Sequence, residues 1–410
     1  MSDDIRRSVQ YTSFFSQESL APQAETLAVE RSASKLFIGI PLETTLYENR
    51  VALVPHSVQT LIGQGHRVVV QQGAGERSNY SDQEYSEAGA EIAESSDMVY
   101  KADIIIKAAP PSMEELDLFH PDQILFSPLQ IPLITDAYIE KLRKKRVIAV
   151  AMEYLQATDG SFPVVRIMSE IAGISAMHTA AELLSNVKGG RGVLLGGISG
   201  VPPAKVVILG AGVVGEFATR AALGLGAAVR IFDNDVYKLM RIQKLIGRQL
   251  HTSTINPVYL GHQLLSADCV IGAIHSSEGR TPMVVTEEMV STMKSGAAII
   301  DVSIDQGGCF ETSEVTSHKH PTFIKYDVTH YCVPNIASKV PRTASVAVSN
   351  ILTPLLLEAG GTGGLEQLLL RNPGIRHGVY TYKGCLTNQF LSKHFHEKFT
   401  DINLLLTSSL

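Results

Sequence analysis

The chain has 410 residues, 45% apolar and 19% charged, which is too long for one typical core and too apolar for wholesale disorder. Its net charge of -6, with no basic block, excludes a phosphate-neutralising nucleic-acid surface. No apolar run reaches the roughly eighteen residues needed to cross a bilayer, and Cys269, Cys309, Cys332 and Cys385 form neither a C-x-x-C pair nor a zinc-spaced cluster.

Residues 1–34 read as a polar lead-in without the apolar core of a signal peptide, and the four thiols read as free in a reducing cytoplasm. No metal site and no membrane partner are expected. From Lys35 short β-branched runs alternate with helical stretches. Strands are predicted at 36–40, 67–70, 103–106, 124–127 and 147–151, with helices starting near Pro55 and Asp82 and a third at 136–145. That alternation implies βαβ units, so the chain up to about residue 150 reads as one doubly wound α/β domain.

A helical stretch runs from Met168 to about Leu184, and a glycine-rich loop follows from Gly189 to Pro203. A second series of strands is predicted at 205–209, 228–232, 269–274, 297–302 and 322–325. From about Arg342 the chain reads as helical, at 344–357 and 364–370, with no further strand. Such a tail is too short to hold a core and is expected to pack back on one of the two domains.

The second series opens on Val206-Val207-Ile208-Leu209-Gly210-Ala211-Gly212-Val213-Val214-Gly215, a buried strand running into G-x-G-x-x-G and then a helix. Gly210 permits the tight turn, Gly212 lets the backbone approach a pyrophosphate, and Gly215 lets helix and strand pack. The pyrophosphate would rest on the helix N-terminus. The next strand ends on Asp233, a carboxylate that accepts from ribose hydroxyls and repels a 2′-phosphate, so NAD is favoured over NADP. The bland alternative is a glycine-rich packing turn with Asp233 as a solvated acid. Two more strand ends, at His275 and at Ile304-Asp305, point to the same crevice; Asp305 read blandly is a turn acid before Gly307 and Gly308.

Several longer segments resemble the alanine dehydrogenase family. They are Phe37-Ile38-Gly39-Ile40-Pro41-x-Glu43, Glu48-Asn49-Arg50-Val51-Ala52-Leu53-x-Pro55 and Arg166-x-Met168-Ser169-Glu170-x-Ala172-Gly173. Gly190-Arg191-Gly192-Val193-Leu194-x-Gly196-Gly197, Ile304-Asp305-Gln306-Gly307-Gly308-Cys309-Phe310-Glu311 and Tyr331-Cys332-Val333-x-Asn335 continue it. The NAD-binding subunit of the proton-translocating transhydrogenase belongs to the same superfamily, and Val201-Pro202-Pro203-Ala204-Lys205-Val206 is similar to both.

The resemblance implies two doubly wound Rossmann-like domains, with an NAD-binding domain at 163–341 inserted into a discontinuous substrate domain of residues 35–162 and 342–410. It implies oxidation of L-alanine by NAD to pyruvate and ammonium, in a homo-oligomer that is typically a hexamer. By the same resemblance Arg50 holds the substrate carboxylate and Asp305 lies by the nicotinamide. Lys238, Ser169, Ile304 and Asn335 join Gly210, Gly212, Val213, Val214, Gly215 and Asp233 as expected cofactor contacts.

Two family positions differ. The second lysine of K-x-K-x-P is Ala109, with the first kept as Lys107, and the acid/base histidine lines up with Gln130. A positioned base contributes roughly 10²–10⁴-fold in rate, and a glutamine cannot serve as one. Lys107 is a substitute for the lost cation, or a solvated or structural lysine. His275 is the substitute acid/base expected here, or an ordinary loop histidine; His178 reads as a packing residue. Beside an alanine dehydrogenase, two readings stay open: a transhydrogenase-like hydride carrier, and an NAD-binding protein without catalysis.

Overall fold

Runs such as Val206-Val207-Ile208-Leu209 and Ile148-Ala149-Val150-Ala151 carry no polar alternation, the pattern of parallel strands covered on both faces. A computed structural model describes residues 34–45, 48–131, 134–276 and 280–407, so the lead-in of residues 1–34 lies outside the described residues except for Ser34. In chain order the strands are β1 (Phe37–Ile40), β2 (Arg67–Gln71), β3 (Glu91–Ala93), β4 (Ile104–Ile106), β5 (Ile124–Ser127) and β6 (Ile148–Ala151). Then follow β7 (Lys205–Leu209), β8 (Ala228–Phe232), β9 (His251–Ser253), β10 (Cys269–Gly272), β11 (Ala298–Asp301), β12 (Thr322–Lys325) and β13 (Val328–Tyr331). Last come β14 (Val379–Tyr382) and β15 (Cys385–Leu386).

They form two sheets, ordered β15-β14-β6-β5-β4-β1-β2-β3 and β12-β13-β11-β10-β7-β8-β9. β1 to β6 are all parallel, as are β7 to β11 with β13; β14 runs antiparallel to β6, and β12 to β13. In each sheet the strand order reverses beside the first strand, between β1 and β4 and between β7 and β10. Ligands of open α/β sheets bind at such reversals, outside the carboxyl ends of the strands. Both sheets are the doubly wound α/β architecture expected of the sequence.

The tail is not strandless, as the sequence had suggested. After the helices Pro341–Thr362 and Leu365–Arg371, the buried run Val379-Tyr380-Thr381-Tyr382 adds β14 to the free edge of β6. β3, β9, β13 and β15 were also not predicted; β3 and β9 are three-residue edge strands with polar residues, too short to show a period, and β13 follows β12 after only two residues. The helix expected from Met168 starts earlier, at Pro163, where proline's fixed φ suits the first helical position.

Two long helices tie the halves together. Pro163–Leu183 buries Val164 in the first core and Ala176, Met177 and Ala180 in the second. Pro341–Thr362 brings Val348, Leu352, Leu356 and Ala359 back to the first core. By length and composition alone this helix could cross a membrane, but half of its apolar stretch is buried inside the protein.

Candidate active site

Beyond β1, hydroxyls of the returning helix region fix the backbone at residues 49–54. Asn49 N–H donates to Ser338 Oγ (3.1 Å), Val51 N–H to Ser345 Oγ (2.9 Å) and Val54 N–H to Ser349 Oγ (3.1 Å). This carries Arg50 into the cleft, where Nε and Nη2 meet the two oxygens of Glu48 at 2.8 and 2.6 Å. Nη1 faces the Met168 sulfur at 3.3 Å.

Glu48 also accepts from Asn335 Nδ2 (3.1 Å), and Asn335 N–H donates to Asp305 Oδ1 (3.0 Å). Arg50, Glu48, Asn335 and Asp305 thus form one chain from the first half to the second. Burial opposes ionisation of Glu48, but Arg50 outweighs it and holds the carboxyl below its usual range. Asp305 opens on the cleft yet lies deep within it, and this desolvation raises its pKa.

The cleft has a volume of about 950 Å³. The first half contributes Arg50, Gln130 and Glu153, the connecting helix Met168 and Ser169, and the second half Val214, His275, Ile304, Asp305, His318 and Asn335. Gln130 and Asn335 both have left-handed backbones, φ 42° and 55°. Non-glycine residues in that region cluster at functional sites.

At the carboxyl end of β7, Gly210 turns at φ +108°, and a Cβ there would overlap the Ala273 carbonyl. A Cβ on Gly215 would overlap the Gly210 carbonyl oxygen, whereas one on Gly212 would meet open space. The helix Val213–Gly224 begins at Gly212 with no side chain capping its free N–H groups. Asp233 accepts from Ala211 N–H (2.7 Å) and Asp235 N–H (2.8 Å), which clamps it beside the turn. Room above Gly212, uncapped donors and a fixed carboxylate together fit a dinucleotide. Lys238 is exposed in the first turn of the helix Val236–Ile246, outside the cleft lining.

The structure corrects two expectations. Lys107 is fully buried at the end of β4 and absent from the cleft lining; its Nζ pairs with Glu115 at 2.9 Å and Glu43 at 3.2 Å. His178, expected to pack, lies on the exposed side of its helix. His275 does face the cleft, and Ala109 is buried.

Three cleft residues escaped the sequence reading. Glu48 looked like one letter of a motif rather than Arg50's partner. Glu153 follows β6 much as Asp305 follows β11, a strand-end signal that was available. His318, whose pKa burial lowers, stands in a loop without a sequence pattern.

Family models decide the relationship: "Alanine dehydrogenase/PNT, N-terminal domain" matches residues 39–172, and the corresponding C-terminal domain matches 176–389. The chain belongs to the alanine dehydrogenase/PNT family. It is 39% identical over 369 residues to alanine dehydrogenase 2 of Staphylococcus aureus, covering 89% of this chain and 98% of the relative. A solved L-alanine dehydrogenase superposes with a TM-score of 0.83 at 36% identity, covering 88% of this chain and 99% of the other. The transhydrogenase from Sinorhizobium meliloti superposes with 0.73 at 25% identity, covering 86% and 99%. Membership of this family implies a nicotinamide cofactor and a small-molecule substrate.

Proposed function

We propose that this chain catalyses NAD-dependent oxidative deamination of L-alanine to pyruvate and ammonium, and the reverse. The observation that carries the reading is the hydrogen-bonded chain from Arg50 to Asp305, which faces a carboxylate-binding cation with an acid across a cleft that ends at the glycine turn. When bound, the nicotinamide supplies the hydride acceptor.

The protein's own residues do the rest. Arg50 takes the substrate carboxylate through Nη1, which the weakly accepting Met168 sulfur gives up readily. Glu48 fixes the guanidinium plane. Asp305, oriented by Asn335 N–H, places the water that attacks the imine carbon. Gly210, Gly212, Val213, Val214 and Gly215 would hold the pyrophosphate, Asp233 the ribose hydroxyls, and Ser169, Ile304 and Asn335 the nicotinamide end. Lys238, exposed in the first turn of the helix after Asp233, would reach toward the ribose.

In this reading residues 35–162 and 342–410 are the substrate domain, and 163–341 the NAD domain. The enzyme works in the cytoplasm as a homo-oligomer, a hexamer by family likeness. Val187, Leu194 and Ile198 are 92%, 67% and 68% exposed ahead of β7, apolar surface of the kind a second copy covers.

NADH formation from a panel of L-amino acids at alkaline pH tests the activity, with reductive amination of pyruvate as its reverse. Turnover with alanine supports the reading. NAD binding without turnover on any amino acid would leave a hydride carrier of the transhydrogenase kind or a non-catalytic NAD protein.

A further inference from the structure

With Gln130 at the position of the family's histidine, the site needs another group to move protons. Glu153 lines the same cleft and is anchored to the same loop, its Oε1 accepting from Leu129 N–H at 2.7 Å. Its Oε2 is buried and has no hydrogen-bond partner among the described residues. Leaving a buried acceptor without a partner costs about 1–3 kcal/mol. The carboxyl is thus fixed by Oε1, while Oε2, which has almost no accessible surface, takes no hydrogen bond among the described residues and reaches the cleft only when the carboxyl turns.

We propose that Glu153 is the acid/base residue of this enzyme, doing the work that Gln130 cannot. The inference rests on the alanine reading above. As water adds to the carbon of protonated iminopyruvate (C=NH2+), the C=N electron pair moves to nitrogen and Glu153 takes one proton from that water. It then returns the proton to the nitrogen of the carbinolamine. The C–N bond breaks, ammonia leaves, and the hydroxyl proton passes to it, giving pyruvate and ammonium.

Burial is the first cause that raises the Glu153 carboxyl, against backbone N–H donors that lower it. A carboxyl raised above its ordinary range holds a proton more readily than a free one, which favours its return to the substrate nitrogen. His275 is the rival on the opposite wall. It is exposed where it lines the cleft.

The test compares the wild type with Glu153→Gln, Glu153→Asp and His275→Ala in alanine oxidation across pH, with NAD affinity by calorimetry as the control for folding. Expected for Glu153→Gln is a loss of about 10²–10⁴-fold in kcat, loss of the wild-type acidic limb, and unchanged NAD affinity. His275→Ala keeps that limb. Infrared titration of the cofactor-free protein shows a protonated-carboxyl band in the wild type that the Gln variant lacks. A Glu153→Gln variant that binds NAD and keeps both kcat and the limb overturns the proposal. If that variant loses NAD binding, Glu153→Asp decides: a shifted limb supports the role and an unshifted one overturns it. A wild type inactive on every amino acid overturns the alanine reading itself, which is a different result from an active wild type that ignores position 153.

Discussion

Lys107 ends β4 with no exposed surface, its ammonium between Glu43 and Glu115, and Tyr100 Oη donates to Glu115 Oε1 at 3.1 Å. Removing one member of such a buried group strands the others' charge, at about 3–5 kcal/mol. Lys107→Met is therefore expected to lower the urea midpoint substantially while a folded fraction keeps its Michaelis constant for alanine. A raised Michaelis constant at unchanged stability would return the lysine to substrate binding. Burial pushes the Glu43 carboxyl up to about 7 against the pull of Lys107. An acid whose folded pKa lies above its unfolded one favours the fold at low pH, and that contribution fades as pH rises through the folded value. Glu43→Gln is expected to flatten stability between its ordinary value of 4.5 and about 7, read from urea midpoints across that window. Arg50→Ala removes the cation and leaves Glu48 buried and unpaired, so both a raised Michaelis constant and a lower melting temperature are expected.

The helices Pro163–Leu183 and Val213–Gly224 touch backbone to backbone at Gly173, where a Cβ would overlap the Val214 carbonyl. Gly173→Ala is expected to cost about 1–3 kcal/mol and to weaken NAD binding measured by calorimetry, because Val214 belongs to the first turn over the glycine loop. Unchanged NAD affinity would detach that contact from the cofactor site. Elements of this kind were the most legible from sequence. The run from Val206 to Gly215 has strand, turn and helix signals in register, and the boundaries of β7 and β8 fall where the pattern put them. β14 was missed because four residues after a helical stretch show no period and gain their stability only by joining β6. The site was half legible for the same reason. Asp305 follows a strand end and Arg50 was carried by the family motif, whereas the pairing of Glu48 with Asn335 and the burial of Lys107 depend on segments far apart in sequence meeting in space.

At the scale of the molecule, two crossings join the halves: the helix Pro163–Leu183, and the stretch from β13 to the helix Pro341–Thr362. Asn335 sits in the second crossing and hydrogen-bonds to both halves, to Glu48 on one side and Asp305 on the other. Ligands that engage both walls should close the cleft about these crossings. The radius of gyration from X-ray scattering is expected to fall when NADH and pyruvate are added without ammonium, and an unchanged value would exclude a hinge. Sedimentation is expected to show a homo-oligomer that charge substitutions at Leu194 and Ile198 dissociate. The most direct measurement is the rate of NADH formation from L-alanine, set against other L-amino acids and against NADP in place of NAD. Expected is saturable turnover with alanine and NAD, and far slower reaction with NADP because Asp233 repels its 2′-phosphate. A protein that binds NAD in the calorimeter yet forms no NADH from alanine, or from any other amino acid, would contradict the proposed activity.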